Sequence, residues 1–421
     1  MSRAPLRVAV LGAGTVGGEV VRGLRELGDR LSPADGRRIE LAAIAVRDLE
    51  GARNRGLPPE LLTDAPAHLV ADPDTDVIVE LMGGDEPAHT LIAAALSAGK
   101  PVVTANKHVI AHHGPEIEAI ARRQGVALRF EAAVAGGIPI LAPLASDLGA
   151  NRIRRVRGIV NGTTNYILSA MSQDGRPYDD VLVDAQELGY AEADPAGDVE
   201  GLDAVNKLVI LARLAFDRWL DPSSVLMAPP RARGEGRPGI TGVTDQEVEG
   251  AAALGLTIKL LASATREGDT IIASVVPTAV PAESPFGWTD GVTNRIEVDA
   301  EPLGTVRLSG PGAGGGPTSS AVLGDLLAVA RGLSSTWAGL PPAGPPVAPA
   351  GHGRDAVRHW YAFVPPVATE RLPPALDEAA AVTFETGTAL RTEVVTLEEA
   401  RAAFDAILPP GADVTLYPVD D

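Results

Sequence analysis

The sequence predicts an α/β chain in three parts: a doubly wound parallel sheet, a mixed α+β domain, and a small ferredoxin-like C-terminal domain. Three observations predict it. Short apolar runs alternate with segments of helical period over the first 147 residues. Past residue 148 longer strand-like runs interleave with helices. A proline-rich stretch, Leu340-Pro-Pro-Ala-Gly-Pro-Pro-Val-Ala-Pro-Ala-Gly351, then sets off a short third block.

In the first part, Arg7-Val-Ala-Val-Leu11 is a short apolar strand, followed by a glycine turn and a helix from Gly18 to Leu24. Further strands fit 39–46, 77–81, 102–104 and 128–131, with helices at 88–98 and 115–123. Strands alternating with helices imply parallel pairing. In the second part a strand at 154–160 precedes helices at 163–173, 178–188, 201–215 and 245–254. Strands at 256–264, 270–278, 294–299 and 306–309 follow, then an apolar helix at 321–332. The last block reads as strand 359–364, helix 374–379, strand 381–384, strand 389–395, helix 397–407 and strand 413–418, the ferredoxin-like order. The boundaries expected are 1–147 with 305–338, 148–304, a linker 339–351, and 352–421.

The chain has 421 residues, ample for a large core, and carries a formal charge of −19 from 36 basic and 55 acidic residues. That balance argues against nucleic acid or an anionic membrane as the main partner. There is no cysteine, which removes disulfides, thiolate metal sites and thiol nucleophiles. No window approaches a membrane span, and the N-terminus runs straight into a strand, so a cytoplasmic location is expected.

Gly12-x-Gly14-x-x-Gly17 follows a strand and opens a helix, the context a dinucleotide fingerprint requires. Gly12 permits the turn, Gly14 lets the backbone approach a pyrophosphate, and Gly17 allows helix and strand to close up. The N–H groups at Thr15, Val16 and Gly17 then face the anion. The first part thus reads as a Rossmann-type nucleotide domain. Past the second strand stand Arg47 and Asp48. Asp48 suits the ribose hydroxyls of NAD; Arg47 suits the extra phosphate of NADP, and the reading leans to NADP. The alternative is that both residues are solvated.

Four further motifs occur in order: Thr104-Ala-Asn-Lys107; Phe130-Glu-Ala-Ala-Val-Ala-Gly-Gly-Ile-Pro-Ile140; Gly158-Ile-Val-Asn-Gly-Thr-Thr-Asn-Tyr-Ile167; and Glu187-Leu-Gly-Tyr-Ala-Glu-Ala-Asp-Pro195 continuing through Gly201-Leu-Asp-Ala-Val-Asn-Lys207. With the glycine fingerprint they resemble the homoserine dehydrogenase family over residues 5–335. The resemblance implies NAD(P)-dependent interconversion of L-homoserine and L-aspartate 4-semialdehyde, on the route to threonine, isoleucine and methionine. It also implies a small-molecule substrate and a homodimer or dimer-based assembly.

Reducing an aldehyde needs a hydride, a proton for the carbonyl oxygen, and groups that hold the amino acid. Lys207 is the first acid/base candidate; Asp203 at i−4 shares its helix face and could orient the ammonium. On spacing alone this is equally an ordinary surface pair, but the apolar run after Lys207 makes a surface position less comfortable. Lys107 follows a strand, where ligands meet parallel sheets, and the resemblance brings it and Thr104 to substrate and nicotinamide. Which lysine moves the proton stays open. By resemblance Glu192 binds the substrate amino group. Asp198 lies nearby, and Thr163 and Tyr166 offer hydroxyls, although Thr163 also reads as a helix N-cap and Tyr166 as core.

The resemblance further implies a monovalent-cation loop with backbone ligands at Glu131, Val134, Gly136 and Ile138, holding a structural Na⁺. Gly310-Pro-Gly-Ala-Gly-Gly-Gly316, including Gly312, resembles a second glycine segment that approaches the cofactor. His112-His113 point different ways on a helix and, like the other five histidines, read as solvated or capping. The last block has the length of a reduced ACT domain, but Phe363-Val-Pro-Pro-Val-Ala-Thr-Glu-Arg-Leu-Pro373 stands where an effector-binding turn belongs. Feedback inhibition by threonine is therefore not expected, a packing or dimerisation role fits the block at least as well, and a form fused to an aspartokinase is not expected.

Two other functions compete. Another Rossmann oxidoreductase would lack the motifs at 161–166 and 192–207, and aspartate-semialdehyde dehydrogenase needs a cysteine. A nucleotide-sensing protein without catalysis would not need both lysines and Asp203.

Overall fold

The computed structural model describes residues 4–27, 37–350, 356–367 and 372–420. His352 and residues 368–371, which belong to expectations above, lie outside them.

The first body alternates β1 (Leu6–Leu11), α1 (Thr15–Leu27), β2 (Ile39–Ala45), α2 (Leu49–Asn54), β3 (Leu62–Thr63), α3 (Pro66–Ala71), β4 (Val77–Glu80), α4 (Ala88–Ser97), β5 (Val102–Thr104), α5 (Lys107–Gln124) and β6 (Leu128–Arg129). The strands pair in parallel in the order β3-β2-β1-β4-β5-β6, the doubly wound Rossmann arrangement. Val8, Val10, Val77 and Val79 are fully buried, as strands covered on both faces require. After a turn of 3₁₀ helix at Glu131–Ala133 and α6 (Leu141–Ala145), the chain leaves this sheet.

The second body holds β7 (Arg152–Ile159), α7 (Gly162–Asp174), α8 (Tyr178–Glu187), α9 (Ala196–Val199) and α10 (Leu202–Phe216). It continues with β8 (Pro230–Arg231), β9 (Gly234–Glu235), α11 (Asp245–Ala253), β10 (Leu256–Glu267), β11 (Thr270–Pro281), β12 (Thr293–Glu301) and β13 (Gly304–Pro311). The long strands form an antiparallel sheet ordered β11-β10-β7-β12-β13. α12 (Gly315–Ala330) returns to the parallel sheet, where Val322, Leu323 and Leu326 join the β1 core. Asp325 of α12 accepts from Arg129 Nε at 2.8 Å and from the Glu131 N–H at 2.8 Å.

The proline-rich stretch is fastened rather than free. Leu340 and Pro341 carbonyls accept from Arg122 and Arg213, and Val347 and Ala350 pair with Trp219 and Ile271. The C-terminal body contains β14 (Trp360–Val364), β15 (Leu376–Thr383), β16 (Thr388–Thr392), α13 (Leu397–Ile407) and β17 (Tyr417–Pro418), antiparallel in the order β15-β16-β14-β17.

Four expectations are corrected here. The helix expected at 374–379 is the start of β15: Leu376 pairs with Thr392 and Ala381 with Leu390, so sheet pairing overrides the helical bias of an alanine run. The strand expected at 413–418 shrinks to Tyr417–Pro418, because the Asp413 carboxylate is taken by Arg231 and the Arg233 N–H. The helix expected from Pro115 begins at Lys107, where the Asn106 side chain accepts from the Val109 N–H at 3.1 Å. The helix expected from 321 begins at Gly315, so glycines that read as loop form its first turn.

α5 and α10 are locked together by a buried ion pair. Glu118 accepts from Arg213 through both oxygens, at 3.0 and 2.7 Å, and also from Trp219 Nε1 at 2.9 Å and Arg122 Nε at 2.8 Å. Burial would raise the Glu118 carboxyl, but Arg213, Trp219 and Arg122 hold it below its ordinary value. Its contribution to stability is therefore complete at neutral pH and fades as pH falls through the depressed value. Glu118→Ala strands Arg213 without a counterion. Urea unfolding should show a loss of about 3–5 kcal/mol.

Candidate active site

The parallel strands end in loops that face one crevice, the expected place for a ligand. Gly12 has φ +94°, and a Cβ there would lie 2.7 Å from the Leu81 carbonyl oxygen. A Cβ on Gly17 would lie 2.0 Å from the Gly12 oxygen. Around Gly14 a Cβ would meet nothing within 4 Å, so that side of the turn is open. Gly14, Thr15, Gly315 and Gly316 line a cleft of about 1150 Å³ together with Arg22, Arg25 and Arg55. The two glycine segments approach there: a Cβ on Gly315 would lie 3.0 Å from the Thr15 oxygen. Gly312 is buried against the Asn294 side chain, so its lack of a side chain serves packing.

Arg47 is exposed just past β2. Asp48, the alternative ribose partner, caps α2 by accepting from the Gly51 N–H at 2.8 Å. Thr104 is fully buried, donates to Glu80 at 2.6 Å and accepts from the Asn106 N–H at 2.9 Å, so its hydroxyl is taken up in holding the loop after β5. Glu80 was not anticipated. It also accepts from Met82 and Gly83 N–H groups and fixes the loop after β4. An acid inside the run Val77-Ile-Val-Glu80-Leu81 was the signal available.

Asp203 and Lys207 lie on the first turns of α10, and Lys107 is the first residue of α5. Asp203 Oδ2 accepts from Lys207 Nζ at 2.8 Å, and Asp203 Oδ1 faces Lys107 Nζ at 2.8 Å. Lys207 Nζ also donates to the Val160 carbonyl at 2.6 Å, which leaves one of its three N–H groups uncommitted. The Lys207 side chain is 9% exposed and that of Lys107 42%. Burial pushes the Lys207 ammonium below its ordinary value, with Asp203 opposing. Asp203, with Asp198 and Glu192 behind it, pushes Lys107 up. Burial works against the Asp203 carboxylate, yet the two lysines hold it well below the usual carboxylate range.

Asn161, not Thr163, caps α7, accepting from the Thr164 N–H at 2.8 Å. Its Nδ2 donates to Asp198 at 2.7 Å and Asp203 at 2.9 Å, so it ties the acids to the helix end. Sequence reasoning did not single it out. Thr163 donates to the Tyr190 carbonyl at 2.6 Å. Tyr166 is half-buried and packs on Tyr190 with ring centroids 5.0 Å apart. Glu192 is exposed on the loop before α9.

The Glu131 carboxylate accepts from Ile140, Leu141 and Ala142 N–H groups and so holds the loop that carries Val134, Gly136 and Ile138. Ala135 and Gly136 both have positive φ, which turns successive carbonyls. Among the described residues no hydrogen bond reaches the carbonyls of Val134, Gly136 or Ile138.

Gly12→Ala puts a methyl group into the Leu81 backbone and should abolish the quenching or enhancement of NADPH fluorescence on titration, while urea unfolding shows a folded chain.

The comparisons with known proteins agree with this geometry. Family models match twice: "Homoserine dehydrogenase, NAD binding domain" at residues 12–131 and "Homoserine dehydrogenase" at 139–327. A homoserine dehydrogenase of Synechocystis is 44% identical over 335 residues, 79% of this chain and 75% of the relative. The crystal structure of a homoserine dehydrogenase from Thiobacillus denitrificans superposes with a TM-score of 0.87 at 36% identity, over 100% of this chain and 99% of that one. A hyperthermophilic archaeal homoserine dehydrogenase mutant in complex with NADPH matches with a TM-score of 0.64 at 28% identity, over 78% of this chain and 98% of that one. With an NAD(P)-binding parallel sheet, an antiparallel second body and two lysines on one aspartate, the chain belongs to the homoserine dehydrogenase family of oxidoreductases.

Proposed function

We infer that the chain interconverts L-homoserine and L-aspartate 4-semialdehyde in amino-acid biosynthesis, with Lys207 moving the proton and Lys107 holding the substrate. The observation that carries the reading is Asp203, whose two oxygens face the two lysines. The parallel sheet brings Lys107, after β5, to the same edge as the Gly12 turn after β1. With β4 between them, the two strand ends are about 10 Å apart.

The bound nicotinamide supplies or accepts the hydride. The remaining work falls to the chain. Lys207 has one N–H left for the substrate oxygen, and in reduction it gives that oxygen a proton. Its lowered pKa lets the neutral amine take the proton back in homoserine oxidation. Lys107, raised by Asp203, stays cationic and polarises or anchors. Glu192, Asp198, Thr163 and Tyr166 form the wall that receives the amino acid, and Glu192 pairs with its ammonium.

NADP is the preferred cofactor in this reading. Exposed Arg47 suits a 2′-phosphate, and the Asp48 carboxylate is already occupied by its helix. Gly12, Gly14, Thr15, Val16 and Gly17 cradle the pyrophosphate; Thr104 serves by shaping the loop. The carbonyls of Glu131, Val134, Gly136 and Ile138 suit a hard monovalent cation such as Na⁺ with a structural role. A homodimer is supported by the open edge strand β13 and by Trp288 and Leu303, exposed at 69% and 50%. Among the described residues no helix is long and apolar enough to cross a membrane.

The test is homoserine-dependent growth of reduced-nicotinamide absorbance with NADP and with NAD. Lys207→Ala should cut turnover by about 10³-fold and leave NADPH affinity unchanged. Near-normal turnover removes Lys207 from the chemistry. Arg47→Ala should raise KM for NADP by about tenfold and leave KM for NAD in place.

A further inference from the structure

A second group of titratable side chains lies where α4 and α5 pack together. His89 of α4 and His113 and Glu116 of α5 each bring one donor atom within 4.8 Å of the others. His113 and Glu116 stand at i and i+3, on one face of their helix. His89 Nε2 is shielded from solvent and makes no aligned hydrogen bond, although Glu116 Oε2 lies 3.3 Å away. The His89 and His113 rings stack with centroids 3.8 Å apart, 11° from parallel. Asp85 Oδ1 lies 2.8 Å from His113 Nε2, and Glu86 Oε1 lies 3.4 Å from His89 Nδ1. Adjacent histidines at 112 and 113 read as unrelated to metal because they face apart. The partner of His113 is His89, which only the fold brings near.

An imidazole nitrogen shielded from solvent without an aligned hydrogen bond is costly, and three carboxylates, Asp85, Glu86 and Glu116, lie against the two rings. A divalent cation relieves both. Two imidazoles with carboxylate oxygens form the donor set of a zinc-type ion, whose tetrahedral ligands sit about 3.4 Å apart. A metal lies in the plane of each ring that binds it, so binding turns one ring out of the stack. Glu116 and Asp85 have the exposure needed to close in, at 58% and 49%.

We propose that His89, His113 and Glu116, completed by Asp85, form a binding site for a zinc-type divalent cation. The site is separate from the catalytic lysines: His113 is six residues beyond Lys107, about 9 Å along α5. The ion cross-links α4, α5 and the loop after β4. That loop already reaches α5, since the Gly84 carbonyl accepts from Asn106 Nδ2 at 2.8 Å.

The test uses the full chain without an affinity tag, freed of metal by a chelator and titrated with ZnCl₂ by calorimetry and with CoCl₂ by visible absorption. One micromolar or tighter site is expected, with the intense Co²⁺ bands of four-coordinate geometry. His89→Ala and His113→Ala should each weaken binding by about tenfold or more. Glu116→Gln, on an exposed side chain, should weaken it without any risk to folding, which circular dichroism checks for all three. The double variant His108→Ala, His112→Ala removes the neighbouring stacked pair and should leave the affinity unchanged. The proposal fails if there is no micromolar site, if the first three variants bind as the parent does, or if only the double variant loses the ion.

Discussion

One buried carboxylate decides how this site is built. Two ammonium groups on the two oxygens of Asp203 lie on the order of 6 Å apart and repel by about 3 kcal/mol at an effective dielectric of 20. Asp203 sits closer to each lysine than they sit to each other, so the trio is net attractive where the pair alone would fly apart. The carboxylate is supplied by α10, and one of its lysines by α5. The geometry thus requires the two helices to keep their places, and the buried Glu118–Arg213 pair, about three turns further along the same helices, does this. A charge network in the core therefore serves position more than stability, since such pairs return little once desolvation is counted.

The same carboxylate separates two chemically identical side chains into two roles. Lys207 is enclosed, so burial outweighs the pull of Asp203 and its proton is loosened. Lys107 keeps solvent along its side chain, so the charge of Asp203 dominates and its proton is tightened. One group gives up its proton more readily than an ordinary lysine; the other holds it more tightly and keeps its positive charge. Asn161 bonds Asp203 and Asp198 at once and so fixes both acids beside the lysines.

Much of this was legible in the sequence where a local rule sufficed. The strand–glycine–helix order around Gly12 required a doubly wound sheet, and the i, i+4 spacing of Asp203 and Lys207 put them on one face. What escaped was what only three-dimensional packing decides. The Asp203–Lys107 contact joins residues almost a hundred positions apart. Thr163 looked like a cap because hydroxyls often are, but Asn161 stands two residues earlier with a better carbonyl acceptor. The 374–379 run looked helical because alanines favour helices, but its neighbours in space are strands. That Asp48 also caps α2, accepting from the Gly51 N–H, was another contact the sequence pattern did not single out.

The most direct test of the central claim is the pH dependence of kcat for homoserine oxidation, in the native enzyme and in Asp203→Asn. In the native enzyme kcat should rise with pH as Lys207 loses its proton. Removing the Asp203 charge removes the influence that holds the proton on, so the midpoint should move to lower pH while the plateau falls. A profile that keeps its midpoint in Asp203→Asn would contradict the claim that Asp203 sets the proton affinity of the reacting lysine.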